Sequence, residues 1–276
     1  MQIYISADIE GVAGVVSHEQ LGPAGDGHDA ARKLMMDEVL AAIDGARAAG
    51  ADEIVVSDSH GNGRNLDPAR LPRHVQLVSG WPRPLLMMEG LEHGNYAGFF
   101  LIGHHAGVGA TEGVLAHTIS GRLYHDVIVD GRSWSETDLN CAIGAHFGVP
   151  LLLATGDDAY IAHVQERAPH ALCVTTKWCL GATSARATAP QDVHVAIREM
   201  AQRAVAAPRP APTRPSAEPL RVELVLRKRQ VAELLNYLPG FDRSGPHSVV
   251  FTARDVLELN KIIYFVSAYD PKGAAY

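Results

Sequence analysis

Two acidic side chains follow the first apolar segment of the sequence at a spacing that suits a shared cation. Residues 2–9 are predicted to form a β-strand, and Asp8 and Glu10 stand two positions apart at its carboxyl end. Because side chains alternate along a strand, both carboxylates are predicted to face the same way. Two carboxylates on one face repel each other unless a cation lies between them. The same spacing is common at the start of a solvated loop, so other residues must decide between the two interpretations.

Histidines follow the next two apolar segments. His60 comes after the predicted strand at residues 53–57, in a loop whose Gly and Asn residues favour a sharp turn. His104 and His105 follow the apolar segment at residues 98–103. Because neighbouring side chains of an extended chain point to opposite faces, only one of these two histidines is expected to reach a shared site easily.

A histidine and a glutamate further along the chain extend this set. His117 ends another apolar run, and Glu136 lies in the first turn of a predicted helix at residues 135–147. The helix dipole favours a carboxylate there by a few tenths to ~1 kcal/mol, which is a purely structural explanation of Glu136. Together, however, these oxygen and nitrogen ligands without thiolate suit zinc, manganese or a similar catalytic ion. Two such ions ~3.5–4 Å apart usually share a carboxylate, and either Asp8 or Glu10 fits that role.

Alternating apolar and helical segments predict how these residues are brought together. Strands are predicted at residues 2–9, 53–57, 98–103 and 150–155, and helices at residues 29–49, 135–147, 157–167 and 191–206. This alternation predicts an α/β fold with a mostly parallel sheet flanked by helices. The carboxyl ends of its strands form the edge where open α/β sheets bind ligands. Asp157 and Asp158 also lie at this edge, and we interpret them as a loop start or a helix cap.

A proline-rich segment divides the sequence. Residues 208–219 contain five prolines in twelve positions, which excludes a helix or a central strand and predicts an extended linker. A strand is predicted directly after it, and a helix at residues 255–268. We therefore predict an α/β metallohydrolase domain at residues 1–207 and a small β-α subdomain at residues 220–276, packed on the main body or used in assembly.

The composition disfavours several classes of protein. The net charge is -7, whereas a nucleic-acid-binding protein usually carries a basic surface. The sequence lacks an apolar run of membrane-spanning length, and it reaches Asp8 and Glu10 without the apolar stretch of a signal peptide. Its three cysteines include no CxxC pair, which argues against disulfides and a thiolate zinc site. We therefore expect a cytoplasmic protein without nucleic-acid or membrane partners.

Six segments of the sequence carry a resemblance to a known family. They are SADIEG at residues 6–11, SDSH at 57–60, MEGL at 88–91, GHHA at 103–106, GVLAH at 113–117 and SETDLN at 135–140. Together they resemble the zinc D-aminopeptidase family, over nearly the whole chain and most strongly before residue 160. The first two segments are the most specific. The resemblance implies hydrolysis of N-terminal residues, specifically D-amino acids, from short peptides or amides.

The resemblance also implies a site with two zinc ions per chain, for which Mn²⁺ or Co²⁺ are alternatives. The implied ligands are Asp8 as the bridge and Glu10, His60, His105 and Glu136 as terminal ligands. The family's histidine ligand stands directly before Ala in a Gly-x-His-Ala run, which selects His105 and leaves His104 at the variable position. His117 matches the catalytic histidine, either as the nucleophile or as a proton-transfer group. A ring-shaped homodecamer with active sites facing an inner channel is implied as well.

Two rival interpretations remain open at this stage. One is a dinuclear metal hydrolase of an L-peptide, another amide or a phosphoester, although no arginine clamp or Gly-rich phosphate loop is evident near the candidate ligands. The other is a non-catalytic assembly protein with a structural metal. Structural zinc sites usually have four ligands, often cysteines, so five candidate ligands without a thiol favour catalysis.

Overall fold

The computed structural model describes residues 1–212 and 219–269, and within these ranges it contains two β-sheets and six α-helices. The strands are β1 (Gln2–Ala7), β2 (Glu53–Asp58), β3 (Val75–Val78), β4 (Tyr96–His104), β5 (Tyr124–Val129), β6 (Arg132–Ser133), β7 (Leu151–Asp157), β8 (Leu172–Gly181), β9 (Ser184–Ala187), β10 (Leu220–Leu226), β11 (Asp242–Arg243) and β12 (Ser248–Ala253). The helices are α1 (His28–Ala48), α2 (Glu136–His146), α3 (Asp158–Arg167), α4 (Pro190–Ala206), α5 (Arg229–Leu235) and α6 (Val256–Ala268).

Seven strands form a mostly parallel sheet in the order β3-β2-β1-β4-β7-β8-β9. Neighbouring strands from β3 to β8 run parallel, and β9 is antiparallel to β8. The prediction of an α/β fold with a mostly parallel sheet is therefore confirmed. The chain leaves β1 toward β2 and β3 on one side and returns to β4 on the other, so the strand order switches between β1 and β4. The crevice at such a switch point is where open α/β sheets bind ligands.

A second, antiparallel sheet joins strands from distant parts of the chain. Its order is β11-β12-β10-β5-β6, with β10 paired to β12 on one side and to β5 on the other. The described part of the predicted β-α subdomain thus shares its sheet with β5 and β6, which precede the proline-rich segment. The division into main domain, linker and subdomain stays a prediction. Residues 213–218 of the linker and 270–276 of the subdomain lie outside the described residues.

Strand β4 shows why the large sheet lies in the middle of the protein. Phe99, Phe100, Leu101 and Ile102 are all fully buried. Phe99 and Leu101 belong to the core that includes α2, α3 and the second sheet. Phe100 and Ile102 belong to the core formed with α1 and α4 on the other face. Each such side chain contributes roughly 1.5–3 kcal/mol through burial, and a continuous apolar run is typical of a strand covered on both faces.

The boundaries of the five predicted helices agree with the sequence predictions to within one residue at each end, whereas α5 is a helix that the sequence analysis does not predict. Ser135 caps α2 by accepting the Asp138 N–H through its hydroxyl group. Asp157 caps α3, since its carboxylate accepts the Tyr160 N–H at 2.8 Å, which confirms its interpretation as a helix cap. Among these described helices, none is both long and apolar enough to cross a membrane.

Candidate metal centre

The predicted site residues lie at the carboxyl ends of adjacent strands, at the switch point of the large sheet. Asp8 and Glu10 follow β1, His60 follows β2, and His105 follows β4. Since β1 lies between β2 and β4, these strand ends meet at one edge of the sheet. Glu136 joins them from the first turn of α2. The topology therefore collects acids and histidines that are spread from residue 8 to residue 136.

The turn after β1 directs both of its carboxylates. The strand ends one residue before Asp8, so the two acids do face one cluster, but strand alternation is not the reason. The Asp8 N–H donates to the Ile102 carbonyl at 2.8 Å, which ties the turn to β4. Gly103 has a φ of +70°, and a Cβ atom there would lie 2.4 Å from the Asp8 carbonyl oxygen. Glycine at this position therefore allows β4 to approach the turn closely enough to hold it.

Five buried side chains form two ligand groups that share Asp8. His60 Nδ1 lies 3.1 Å from Asp8 Oδ1 and 3.1 Å from Glu10 Oε2. His105 Nε2 lies 3.5 Å from Asp8 Oδ2 and 3.5 Å from Glu136 Oε1. Each group offers one ligand atom per residue, all within 4.8 Å of one another. Asp8 therefore turns one oxygen toward each group, as a carboxylate shared by two ions would have to do.

His117 closes the cluster on a third side. Its Nε2 atom lies 4.0 Å from Glu10 Oε1 and 3.9 Å from Glu136 Oε1. Its ring stacks on that of His105, with centroids 4.1 Å apart and planes inclined by 11°. Glu10, His105 and His117 form a third possible ligand group. The structure thus brings all six predicted site residues together.

The outer ring nitrogen of each histidine is fixed by a backbone carbonyl. His60 Nε2 donates to Leu21 at 2.7 Å, His105 Nδ1 donates to Ala106 at 2.9 Å, and His117 Nδ1 donates to Leu115 at 2.9 Å. In the neutral ring, this bond leaves the nitrogen that faces the cluster as an acceptor. Histidines that bind metals almost always donate their other ring N–H in this way, which sets the tautomer and the orientation of the ring.

The buried nitrogen of His105 tests whether these residues fit a metal ion. His105 Nε2 is fully buried and lacks a hydrogen-bond partner among the described residues. Leaving a buried polar atom without a partner costs about 1–3 kcal/mol. Its neighbours are the oxygens of Asp8 and Glu136 at 3.5 Å. A cation between these three atoms satisfies the nitrogen and both carboxylates at once, so the residues fit a metal site.

Electrostatics within the cluster lead to the same conclusion. Burial, followed by the charge of Glu10, raises the pKa of Asp8 to about 7. Burial by itself lowers the pKa of His105, but the surrounding carboxylates, Glu136 first, raise it to about 9. The cluster therefore holds buried negative charge that only titratable histidines offset. A metal ion held by these residues would supply the positive charge and would displace protons from its ligands.

Comparison with known proteins decides the family of the chain. A family model described as D-aminopeptidase matches residues 1–265. The chain belongs to this D-aminopeptidase family. It is 28% identical over 261 residues to a D-aminopeptidase of Bacillus subtilis (strain 168), an alignment that covers 94% of this chain and 93% of the relative. The predicted resemblance is confirmed, and the chain is an aminopeptidase, a hydrolase that acts on peptide bonds.

The structure is also similar to that of a solved D-aminopeptidase. This is the Zn-dependent D-aminopeptidase DppA from Bacillus subtilis, described as a self-compartmentalizing protease. The TM-score is 0.90 at 25% sequence identity, and the match covers 97% of both chains. The similarity therefore extends over both sheets of this chain, including the strands after the proline-rich segment.

The two adjacent histidines of this family member occupy different environments. His104 Nε2 lies 3.2 Å from Ser6 Oγ, and its ring packs on Tyr160 with centroids 6.3 Å apart. Its Nδ1 atom is 3.9 Å from Asp8 Oδ2, which is too long for a hydrogen bond. Burial lowers the pKa of His104 to about 4, so its ring is neutral. His105, not His104, belongs to the groups of possible metal ligands.

A cavity of about 380 Å³ opens onto the cluster of acids and histidines. Five of the six predicted site residues line it: Asp8, Glu10, His60, His117 and Glu136. The larger apolar and aromatic side chains of the lining are Trp81, Leu86, Met87, Ile119 and Tyr264. Sequence reasoning misses these side chains because they belong to connecting segments and to α6, where no spacing relates them to the site. The cavity provides room for a small substrate next to the candidate ligands.

Lys177 is a further buried residue that sequence reasoning misses. Its ammonium group donates to the backbone carbonyls of Glu10, Val12 and Val15, the second at 3.0 Å. These bonds hold the segment after Asp8 against β8. Burial lowers the pKa of Lys177 to about 8. Its signal in the sequence is a single charge within a strand, in the run TTKWC at residues 175–179.

Proposed function

We propose that this chain is a zinc-dependent D-aminopeptidase that binds two ions per chain and removes N-terminal residues from short peptides or amino-acid amides. The observation that carries the proposal is the position of Asp8, whose two oxygens face separate ligand groups. Asp8, Glu10 and His60 are assigned to one ion, and Asp8, His105 and Glu136 to the other. The Zn-dependent relative supports zinc, and Mn²⁺ or Co²⁺ are the alternatives to be tested.

A pair of metal ions held by these residues would polarise a scissile carbonyl and lower the pKa of water toward ~7. The chain's own residues supply the rest. Glu10, His60 and His105 are buried and hold the ligand geometry. Asp8, Glu10 and Glu136 line the cavity, so the free amine of a bound substrate would meet negative charge there, which favours N-terminal cleavage.

His117 is assigned the transfer of the proton to the leaving amine. Its Nδ1–H is engaged by the Leu115 carbonyl, so its Nε2 is the atom that takes up and gives back a proton. That atom faces the cavity between Glu10 and Glu136, at 4.0 and 3.9 Å. Direct attack by His117 on the carbonyl is the alternative, and a trapped acyl-enzyme in rapid-quench experiments would favour it.

We also infer a cytoplasmic homo-oligomer, a decamer by the family resemblance. The self-compartmentalizing relative supports an oligomer, since its match covers 97% of both chains. Sedimentation of the purified full-length protein measures this directly. A monomer at micromolar concentration would contradict the inference without touching the assignment of the active site.

The function is tested with metal-free protein to which Zn²⁺, Mn²⁺ or Co²⁺ is added back. We expect turnover of D-amino-acid amides and D-dipeptides and close to two ions per chain by elemental analysis. L-amino-acid amides and a phosphoester serve as the competing substrates. Preference for either of these, or full activity of protein that contains no metal, would overturn the proposal.

A further inference from the structure

The cavity at the candidate metal centre is lined by two chemically different sets of side chains. One set of lining side chains consists of carboxylates and imidazoles, and the other consists of Trp81 and Tyr264 together with Leu86, Met87 and Ile119. We propose that Trp81 and Tyr264 form a wall that binds the side chain of the substrate's N-terminal residue and favours a large apolar side chain. This inference rests on the proposed function and adds the substrate class of the same site.

The wall is held in place before any substrate binds. The Trp81 indole N–H donates to the Gly61 carbonyl at 2.8 Å, and Gly61 directly follows the candidate ligand His60. The Tyr264 ring stacks on the indole, with centroids 5.4 Å apart and planes inclined by 22°. The wall is therefore tied to the loop that carries His60. Because the wall is already ordered, a substrate side chain that packs against it loses little binding free energy to rearrangement of the protein.

The positively charged guanidinium next to the wall already has hydrogen-bond partners within the protein. The Arg83 guanidinium lies 4.5 Å from the centroid of the Trp81 ring, and the residue is only 2% exposed. Its N–H groups donate to the carbonyls of Val78, Gly80 and Asp58 and to the hydroxyl of Ser57. Arg83 therefore supports the indole from behind and does not act as a carboxylate clamp.

The remaining lining and the size of the cavity narrow the class of substrate. In the described part of the chain, no lysine or arginine lines the cavity, so the lining offers no permanently charged side chain to pair with an acidic substrate side chain. A volume of about 380 Å³ is at the small end of ligand sites and suits a single residue. An amino-acid amide places its amine and carbonyl at the candidate metal centre and has one further group, its side chain. That side chain is what reaches Trp81 and Tyr264.

The test compares D-phenylalaninamide with D-alaninamide, because neither has a leaving residue that reaches the wall. We expect the wild-type protein to have the higher kcat/KM for D-phenylalaninamide. In Trp81→Ala and in Tyr264→Ala, the ratio of the two kcat/KM values is expected to fall roughly 10–100-fold, the size typical of lost apolar contacts in a specificity site. Two variants are used so that the test survives if one of them does not fold.

Matched controls come from the same residue types outside the cavity. Trp178 also stacks with an arginine, Arg186 at 4.9 Å, but is 37% exposed and does not line the cavity. Phe265 follows Tyr264 on α6 and is 50% exposed. Trp178→Ala and Phe265→Ala are expected to keep the wild-type ratio. Calorimetric binding of free D-phenylalanine and D-alanine gives a second readout without turnover, and only the wall variants are expected to lose their preference for D-phenylalanine.

The possible outcomes separate the inference from the proposed function. An unchanged ratio in both wall variants, with amides still hydrolysed, overturns the inference alone. A ratio that is unchanged for amides but falls for D-alanyl-D-phenylalanine against D-alanylglycine places the leaving residue on the wall and overturns the assignment. If no amide of either configuration is hydrolysed by the metal-loaded protein, the proposed function fails and the inference fails with it.

Discussion

Two buried clusters of carboxylates and histidines lie at the start of α2, and they differ in how their charges are satisfied. In the cluster around Asp138, Oδ1 accepts from Arg167 Nε–H at 2.7 Å, and Oδ2 lies 3.0 Å from His163 Nε2. The backbone N–H and the hydroxyl of Ser135 also donate to Oδ2, at 2.9 and 2.8 Å. Burial by itself raises the pKa of Asp138, but these partners, His163 first, lower it to about 2.

In the cluster around Asp8, no arginine or lysine side chain among the described residues pairs with the carboxylates. The ion-pair partners of Asp8 and Glu10 in the described residues are histidines, and His105 Nε2 has no hydrogen bond. Burial raises the pKa of Asp8 to about 7, whereas Asp138 is held ionised. The comparison teaches that a cluster completed by its own arginine satisfies its charge within the protein, whereas a cluster that lacks a permanent cation leaves buried charge unpaired and is suited to bind one.

The largest expected effect comes from removing the shared carboxylate. Asp8→Asn is expected to lose both metal ions and to reduce amide hydrolysis to background, because both ligand groups use this side chain. Asp138→Asn is the matched control, since it removes a buried carboxylate at the other cluster, and we expect it to retain its metal. Elemental analysis and turnover are measured on both proteins. Two ions retained in Asp8→Asn would contradict its role as the bridge.

His117→Ala is expected to reduce kcat by ~10²–10⁴-fold while keeping both metal ions, as is typical of a general acid or base. The two groups that share Asp8 contain enough ligands without it. His105→Ala provides the contrast, because His105 stacks on His117 but also belongs to the second ligand group that shares Asp8. This variant is expected to lose metal as well as activity. If His117→Ala loses an ion together with its activity, His117 is itself a ligand, and the group of Glu10, His105 and His117 binds that ion.

Much of the candidate site is predictable from the sequence because its residues follow short apolar segments. His60 and His105 lie within two residues of strands that short apolar runs predict, and the strand order then places them together. The helix caps Ser135 and Asp157 are predictable for the same reason, since capping depends on neighbours three residues away. The local sequence pattern is sufficient to predict a residue's position where that position depends only on the helix or strand to which the residue belongs.

What the sequence does not predict depends on pairing between distant segments. Strand β5 pairs with β10, and their partners Val222 and Val129 are far apart in the chain. No local period encodes that register. The contact between Trp81 and Tyr264 and the insertion of Lys177 under the Glu10 turn are equally non-local. These are the features that shape the cavity and support the Glu10 turn, so substrate preference is the part of the function that needs a structure.

A smaller effect is expected from the balanced cluster, and it is one of stability. The pKa of Asp138 in the folded protein is about 2, below the ordinary value of 3.8, so its ionised form stabilises the fold above pH ~4 and this contribution is lost as the pH falls toward 2. The difference corresponds to about 2 kcal/mol. Asp138→Asn should therefore unfold at lower denaturant concentration near neutral pH and approach the wild type near pH 2.

The measurement is made with chelator present in both proteins, so that release of metal at low pH does not contribute. Urea unfolding is followed at several pH values, and the difference in the free energy of unfolding is plotted against pH. A difference that stays constant from pH 7 to pH 2 would mean that the carboxyl group of Asp138 does not stabilise the protein through its charge.

The smallest expected effect is that of His104→Gln. His104 lies next to a candidate ligand in sequence and 3.9 Å from Asp8 Oδ2, so a role as an alternative ligand has to be tested. Its environment argues against that role: the ring is neutral because burial lowers its pKa to about 4, its Nε2 is paired with Ser6 Oγ, and it packs on Tyr160. Glutamine keeps a polar group near Ser6, so we expect a loss of about 1 kcal/mol in the free energy of unfolding, the size of one hydrogen bond. Metal content should remain unchanged and kcat within a few-fold of the wild type, while the matched His105→Gln loses metal. If His104→Gln loses metal and His105→Gln retains it, the two histidines exchange roles and the second ligand group has to be rebuilt around His104.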